Sequence, residues 1–207
     1  MDEIKTHLKD ISDIRNLMEQ NTKFLSLSGL SGISAGICAL AGAGLGYWKL
    51  HSSDAGSYRE FIDAPNSDML VFLVLDCLAV LGMALFLALF FSMRMAKKRD
   101  LPLYNATAQK LIVSLLVPLV SGGLFCIFQM KNGYYGMVPA TMLLFYGVSL
   151  LNGSKYTLPE IRFLGLSEIV LGLFSAWYLG SGLYFWAFGF GVLHIIYGVV
   201  MYIRYER

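Results

Sequence analysis

The sequence predicts an all-α membrane protein, a polytopic bundle of six transmembrane helices with hairpin repeats and an N-terminal cytoplasmic amphipathic helix. Three observations lead there. Apolar residues fill 57% of the 207 positions against 14% charged, and the mean hydropathy of +0.61 lies outside the soluble globular range. The charges crowd into the N-terminal stretch, the regions near Lys97 and Lys155, and the C-terminal tip. Between them run apolar segments long enough to span, since a hydrocarbon slab of about 30 Å needs roughly 20 residues at about 1.5 Å each.

The first element is residues 1–24. Ile4, Leu8, Ile11, Arg15 and Met18 lie three and four apart, with Ile14 and Leu17 alongside, which is the spacing of an amphipathic helix. Such a helix lies on the cytoplasmic membrane surface, or docks a protein partner or a second copy of the chain. Asp2, Glu3, Asp10, Asp13 and Glu19 within it set it apart from the short basic start of a signal peptide.

Residues 25–207 form the six-span domain, with helices expected at 25–48, 69–93, 108–130, 134–151, 161–180 and 183–203. A soluble helical core fails because so many long apolar runs leave too few polar positions for a solvated surface. A β-barrel needs alternating strands, which are absent. The first span carries Gly29, Gly32, Gly36, Gly42, Gly44 and Gly46 with Ser26, Ser28, Ser31 and Ser34. Side chains this small allow close backbone approach, which predicts a place at the bundle centre.

Gly29-Leu30-Ser31-Gly32-Ile33-Ser34-Ala35-Gly36 in the first span matches Gly165-Leu166-Ser167-Glu168-Ile169-Val170-Leu171-Gly172 in the fifth, as GLSxIxxG. The match suggests repeated helical hairpins in parallel orientation. Gly42-Ala43-Gly44-Leu45-Gly46 has no preceding strand and is no nucleotide loop. Gly29-Leu30-Ser31-Gly32-Ile33 lacks the second glycine of a nucleophile elbow. Pro118 and Pro139 fall within the third and fourth spans, where a kink is expected at each. The outer loop from Lys49 to Asp68 reads as a solvated connector.

Orientation follows from Lys and Arg, which cytoplasmic loops retain. One side collects Lys5, Lys9, Arg15, Lys23, Arg94, Lys97, Lys98, Arg99, Lys110, Lys155, Arg162, Arg204 and Arg207, and the other only Lys49, Arg59 and Lys131. Both termini are therefore expected in the cytoplasm. Tyr47, Trp48, Tyr134, Tyr135, Trp177, Tyr184 and Trp186 fall at outer helix ends, and Tyr104, Tyr156, Tyr202 and Tyr205 at inner ends, as interfacial belts do. The net charge of +2 gives no case for nucleic acid. Cys38, Cys77 and Cys126 lie in apolar runs without a CxxC pair, so they read as reduced packing residues.

The stretch from Tyr146-Gly147-Val148-Ser149 through Asn152-Gly153-Ser154-Lys155-Tyr156-Thr157 and Glu160-Ile161-Arg162-Phe163-Leu164-Gly165 to Phe188-Gly189-Phe190-Gly191-Val192-Leu193-His194 resembles a group of small six-span bacterial integral membrane proteins. That resemblance covers most of the chain. It implies the six-span fold and the bacterial inner, or cytoplasmic, membrane, and it supplies no catalytic residue. More remotely, the glycine-rich hairpin from Gly165 to Gly198 is similar in its small-residue patterning to the repeats of the HdeD-type acid-resistance membrane proteins, which implies a link to stress response.

Ionisable residues inside a span cost about 2.5–3.5 kcal/mol on insertion scales, so each raises a functional question. Three qualify: Asp76, Glu168 and His194. Glu168 and His194 occupy adjacent antiparallel helices at matching depth, each with small residues on its face. They either hydrogen-bond to lock the last hairpin or form a proton-responsive pair. Asp76, with Ala79 and Met83 on its face, either lines an outward-facing aqueous pocket or bonds a polar group of the first span. No metal cluster or nucleophile–base pair is recognisable, so no enzyme, metal or cofactor is expected. Two functions remain: transport or sensing of protons, an ion or a small solute through a polar interior, or a scaffold acting through residues 1–24.

Overall fold

The computed structural model describes residues 28–52, 56–98 and 105–207; the amphipathic helix expected over residues 1–24 lies outside them. The described residues form helices and their connectors, with no strand among them. In chain order these are α1 (Gly29–Ser52), α2 (Tyr58–Asp63), α3 (Ser67–Lys98), α4 (Ala106–Lys131), α5 (Val138–Gly153), α6 (Glu160–Trp177), α7 (Gly182–Trp186) and α8 (His194–Tyr205). A π-helical stretch, Ala187–Leu193, joins α7 to α8. Short 3-10 turns sit at Tyr135–Met137, Ser154–Tyr156 and Leu179–Ser181.

Five segments are long and apolar enough to cross a membrane: Gly29–Ser52, Ser67–Lys98, Ala106–Lys131, Tyr135–Tyr156 and Leu179–Tyr205. The remaining long helix, α6, has 18 residues and carries Glu160, Arg162 and Glu168. Local chemistry sets several boundaries. Asn105 caps α4 by accepting from the Ala108 N–H at 2.7 Å, which satisfies a donor the helix leaves free. Pro118 lies inside α4. Pro139 instead stands in the first turn of α5, where no N–H partner is lost, so the kink expected there has no cause.

α3 packs on α1, α1 on α8 and the π-helical stretch, α5 on α6 along their lengths, and α4 on α5. The N-terminal half of α1 makes the expected close contacts, but the helix is not enclosed. Ile37 and Leu45 are more than half exposed, and nothing lies within 4 Å of a Cβ built on Gly44. On α3, Leu75 and Phe86 are over 60% exposed, an apolar surface of the kind that lipid covers.

One glycine contact occurs twice. A Cβ on Gly29 would strike the Gly198 carbonyl and Tyr202, and one on Gly36 would strike the Gly191 carbonyl and Ile195. In the same register, Gly165 meets the Gly147 carbonyl and Leu151, and Gly172 meets the Ala140 carbonyl and Leu144. The reverse contacts correspond too: Gly198 faces Gly29 and Ile33, as Gly147 faces Gly165 and Ile169. Backbones approach this closely only because neither face has a side chain.

The connectors gather at two ends. At one, Glu206 accepts from the Gly29 N–H and from Ser28 Oγ at 3.2 Å. Arg204 and the Tyr205 hydroxyl reach Glu160 at 2.8 and 3.0 Å at the same end. At the other end the loop expected as a solvated connector is a packed cap. Phe61 of α2 is buried with Leu50 and Met69, the Tyr58 hydroxyl donates to the Tyr135 carbonyl at 3.2 Å, and Arg59 covers Gly180. The loop takes this form because its Tyr58, Phe61 and Ile62 pack against the helix ends and turns gathered there.

Candidate functional site

At the first of the three variable positions of GLSxIxxG α6 has Glu168, where α1 has Gly32. In α8 the run His194-Ile195-Ile196-Tyr197-Gly198-Val199 stands where α5 has Leu143-Leu144-Phe145-Tyr146-Gly147-Val148, in the register that the paired glycine contacts set. Between the paired glycines each helix pair carries one carboxyl or imidazole group that its counterpart lacks, Glu168 in α5/α6 and His194 in α1/α8. The two meet at the junction of the pairs.

Glu168 is fully buried and His194 is 7% exposed. Glu168 Oε1 stands 3.5 Å from His194 Nδ1. That is ion-pair distance, yet the hydrogen bond of Nδ1 goes elsewhere, to the Gly189 carbonyl at 3.0 Å. A carbonyl only accepts, so Nδ1 carries the hydrogen. In the neutral ring Nε2 is then an acceptor, and the Tyr146 hydroxyl donates to it across 2.7 Å. The imidazole is further fixed by Phe190, stacked at 6.0 Å between ring centres and tilted by 24°.

The carboxylate of Glu168 has neither oxygen hydrogen-bonded among the described residues, and both are shielded from solvent. Its space is made by a missing side chain: a Cβ on Gly189 would lie 2.5 Å from Oε2 and equally close to Leu143 Cδ2. Ser175, seven residues on and so about two turns further along the same face, is also buried with an unpartnered Oγ. Native interiors hold few such groups, and each calls for a reason.

Asp76 does not join this pair. It is partly exposed on α3, and its oxygens lie 3.3 and 3.5 Å from where a Gly42 Cβ would stand. His194 lies against Gly32 of the same helix, about 15 Å along the axis from Gly42. Two of the three residues singled out from the sequence therefore share a site, and the third stands apart. Tyr146 and Gly189 were not singled out. The Tyr-Gly-Val string shared by residues 146–148 and 197–199 is the signal that points to Tyr146. The described residues hold no group of three or more His, Cys, Asp or Glu side chains able to bind a metal.

Comparison of the chain with protein-family models, curated proteins and solved structures finds no match.

Proposed function

We propose that the chain is a six-span protein of the bacterial inner membrane with both termini cytoplasmic, and that its polar interior moves or senses protons, an ion or a small solute. The observation that carries the functional part is the junction pair: a fully buried carboxylate without a hydrogen bond, 3.5 Å from a buried imidazole. A bare carboxylate in an apolar interior costs several kcal/mol. Close packing does not call for it, since Gly32 and Leu143 fill the corresponding positions at the twin contact.

The crossing still to be supplied is α6, the fifth span in chain order. Glu206 at the end of α8 touches the start of α1, so the chain between them crosses the bundle an even number of times. The five apolar segments alone would be odd, and α6 supplies the missing crossing. Eighteen residues make a helix of about 27 Å, and Glu160 and Arg162 sit in its first turn, at the polar edge. The twice-made glycine contact joins α6 to its sequence neighbour α5 but α1 to the last helix, α8, so it supports a repeated helix pair, and the reading of repeated hairpins rests on the GLSxIxxG match.

A second reading, a scaffold whose buried polar groups serve stability, draws on the solid packing around Glu168. One experiment separates the two. In purified protein, tryptophan fluorescence followed against pH is expected to report a transition that Glu168→Gln removes while the protein stays monodisperse and folded. A wild-type protein with no pH-dependent signal, together with a merely less stable Glu168→Gln variant, sinks the functional reading and leaves the scaffold.

A further inference from the structure

We propose that the ligand of the junction site is a single proton, shared between Glu168 and His194 and exchanged through Tyr146, rather than a metal cation or a solute. This rests on the functional reading of the same pair. The argument begins with room. Hard cations take six or more oxygen ligands at 2.0–2.6 Å. Around the Glu168 carboxylate stand Leu143 Cδ2, the Gly189 backbone and an imidazole nitrogen. The Gly189 carbonyl is already engaged by His194, and the next oxygen along the face, Ser175 Oγ, is about two turns away. The gap that Gly189 leaves beside Oε2 is one that a Cβ would overfill. A proton needs no cavity and no ligand shell.

The connections then suit a proton. The imidazole bridges the site: Nε2 faces the Tyr146 hydroxyl at 2.7 Å, and Nδ1 faces both the Gly189 carbonyl at 3.0 Å and Glu168 Oε1 at 3.5 Å. A proton passed to Nε2 by the Tyr146 hydroxyl, which takes one in return from a hydronium ion and so releases water, makes an imidazolium. The Nδ1 proton then leaves to Oε1, which a small tilt of the ring from Gly189 toward Glu168 brings into reach. Only N–H and O–H bonds form and break, and the ring ends neutral with its hydrogen on Nε2. With one proton in the pair, either as carboxylic acid beside neutral imidazole or as carboxylate beside imidazolium, the junction carries no net charge. Adding or removing a proton leaves a net charge in a dry interior, which is costly. The titratable groups facing Glu168 are His194 from α8 and Tyr146 from α5. The π-helical stretch presents Gly189, and α1 presents Gly32 and Gly36 to α8.

The test is nitrogen-15 NMR of His194 in nanodiscs, with His7→Gln and His51→Gln leaving a single histidine and N-methylglucamine as the only buffer cation. The expected spectrum shows a one-proton transition with pH, with the neutral ring carrying its hydrogen on Nδ1 above the midpoint and, below it, a ring protonated at Nε2. Glu168→Gln is expected to move the midpoint by a pH unit or more, and added sodium or potassium to leave it in place. Tyr146→Phe is expected to shift the Nε2 resonance and spare Nδ1, which keeps the proposal open to refutation if Glu168→Gln does not fold. A midpoint displaced by alkali cations overturns the proton as ligand while the functional reading stands. A midpoint indifferent to Glu168→Gln, or an Nε2 resonance indifferent to Tyr146→Phe, overturns the shared proton. A spectrum as expected with no pH-dependent fluorescence transition overturns the functional reading alone.

Discussion

Ser175 separates what burial costs from what a residue contributes. Its Oγ is fully buried and unpartnered among the described residues, so the hydroxyl was desolvated without a hydrogen bond in return, at a cost of about 1–3 kcal/mol. Ser175→Ala should therefore leave thermal stability in detergent unchanged or raise it by roughly 1 kcal/mol. A loss of that size instead would mean that the hydroxyl holds an ordered water in the native protein. The same reasoning explains which site residues were legible in the sequence. Glu168 and His194 stand out because an ionisable group in an apolar run is costly on insertion. Tyr146 does not, since tyrosine is ordinary in such helices, and its role comes from a partner on another helix. Gly189 is one of 21 glycines, and only the Glu168 oxygen lying in its missing side-chain space marks it out.

At the scale of elements the small-residue face of α1 was legible in part. Gly32 and Gly36 were expected at helix contacts and are found there, against Gly198 and the Gly191 carbonyl. Gly44 belongs to the same glycine-rich run but has open space around it, because composition counts small residues without saying which side of the helix has a neighbour. The two positions predict opposite outcomes. Gly36→Leu would put its Cβ 2.6 Å from a backbone oxygen that cannot move aside, and overpacking of this kind costs about 1–3 kcal/mol or more. Gly44→Leu meets nothing and should stay within about 0.5 kcal/mol. Denaturation of both variants in mixed detergent micelles checks this, and equal losses would remove the α1–α8 contact from the account. The π-helical stretch between α7 and α8 was not legible at all. Its place depends on what packs against Gly189 and Gly191, and a 3.6-residue periodicity does not record such a local widening.

For the whole molecule, the excess of Lys and Arg on one set of connectors meets an independent geometric fact. The clasp formed by Glu206 with Ser28 and Gly29, and by Arg204 and Tyr205 with Glu160, joins three segments that the charge count assigns to the cytoplasm. The cap formed by Tyr58, Tyr135 and Arg59 over Gly180 joins three that it assigns to the outside. Packing sorts the connectors into the same two groups as the charge count, which bears on the number of crossings, while the direction rests on the charge count alone. Single cysteines placed at Glu60 and Asn66, both exposed, should react with an impermeant maleimide added to intact cells. One at Lys98, exposed at the end of α3, should react only after the cells are opened. Cys38, Cys77 and Cys126 are replaced by serine or alanine beforehand. Labelling at Lys98 in intact cells with none at Glu60 would invert the protein, and labelling at both from outside would mean that α3 does not cross.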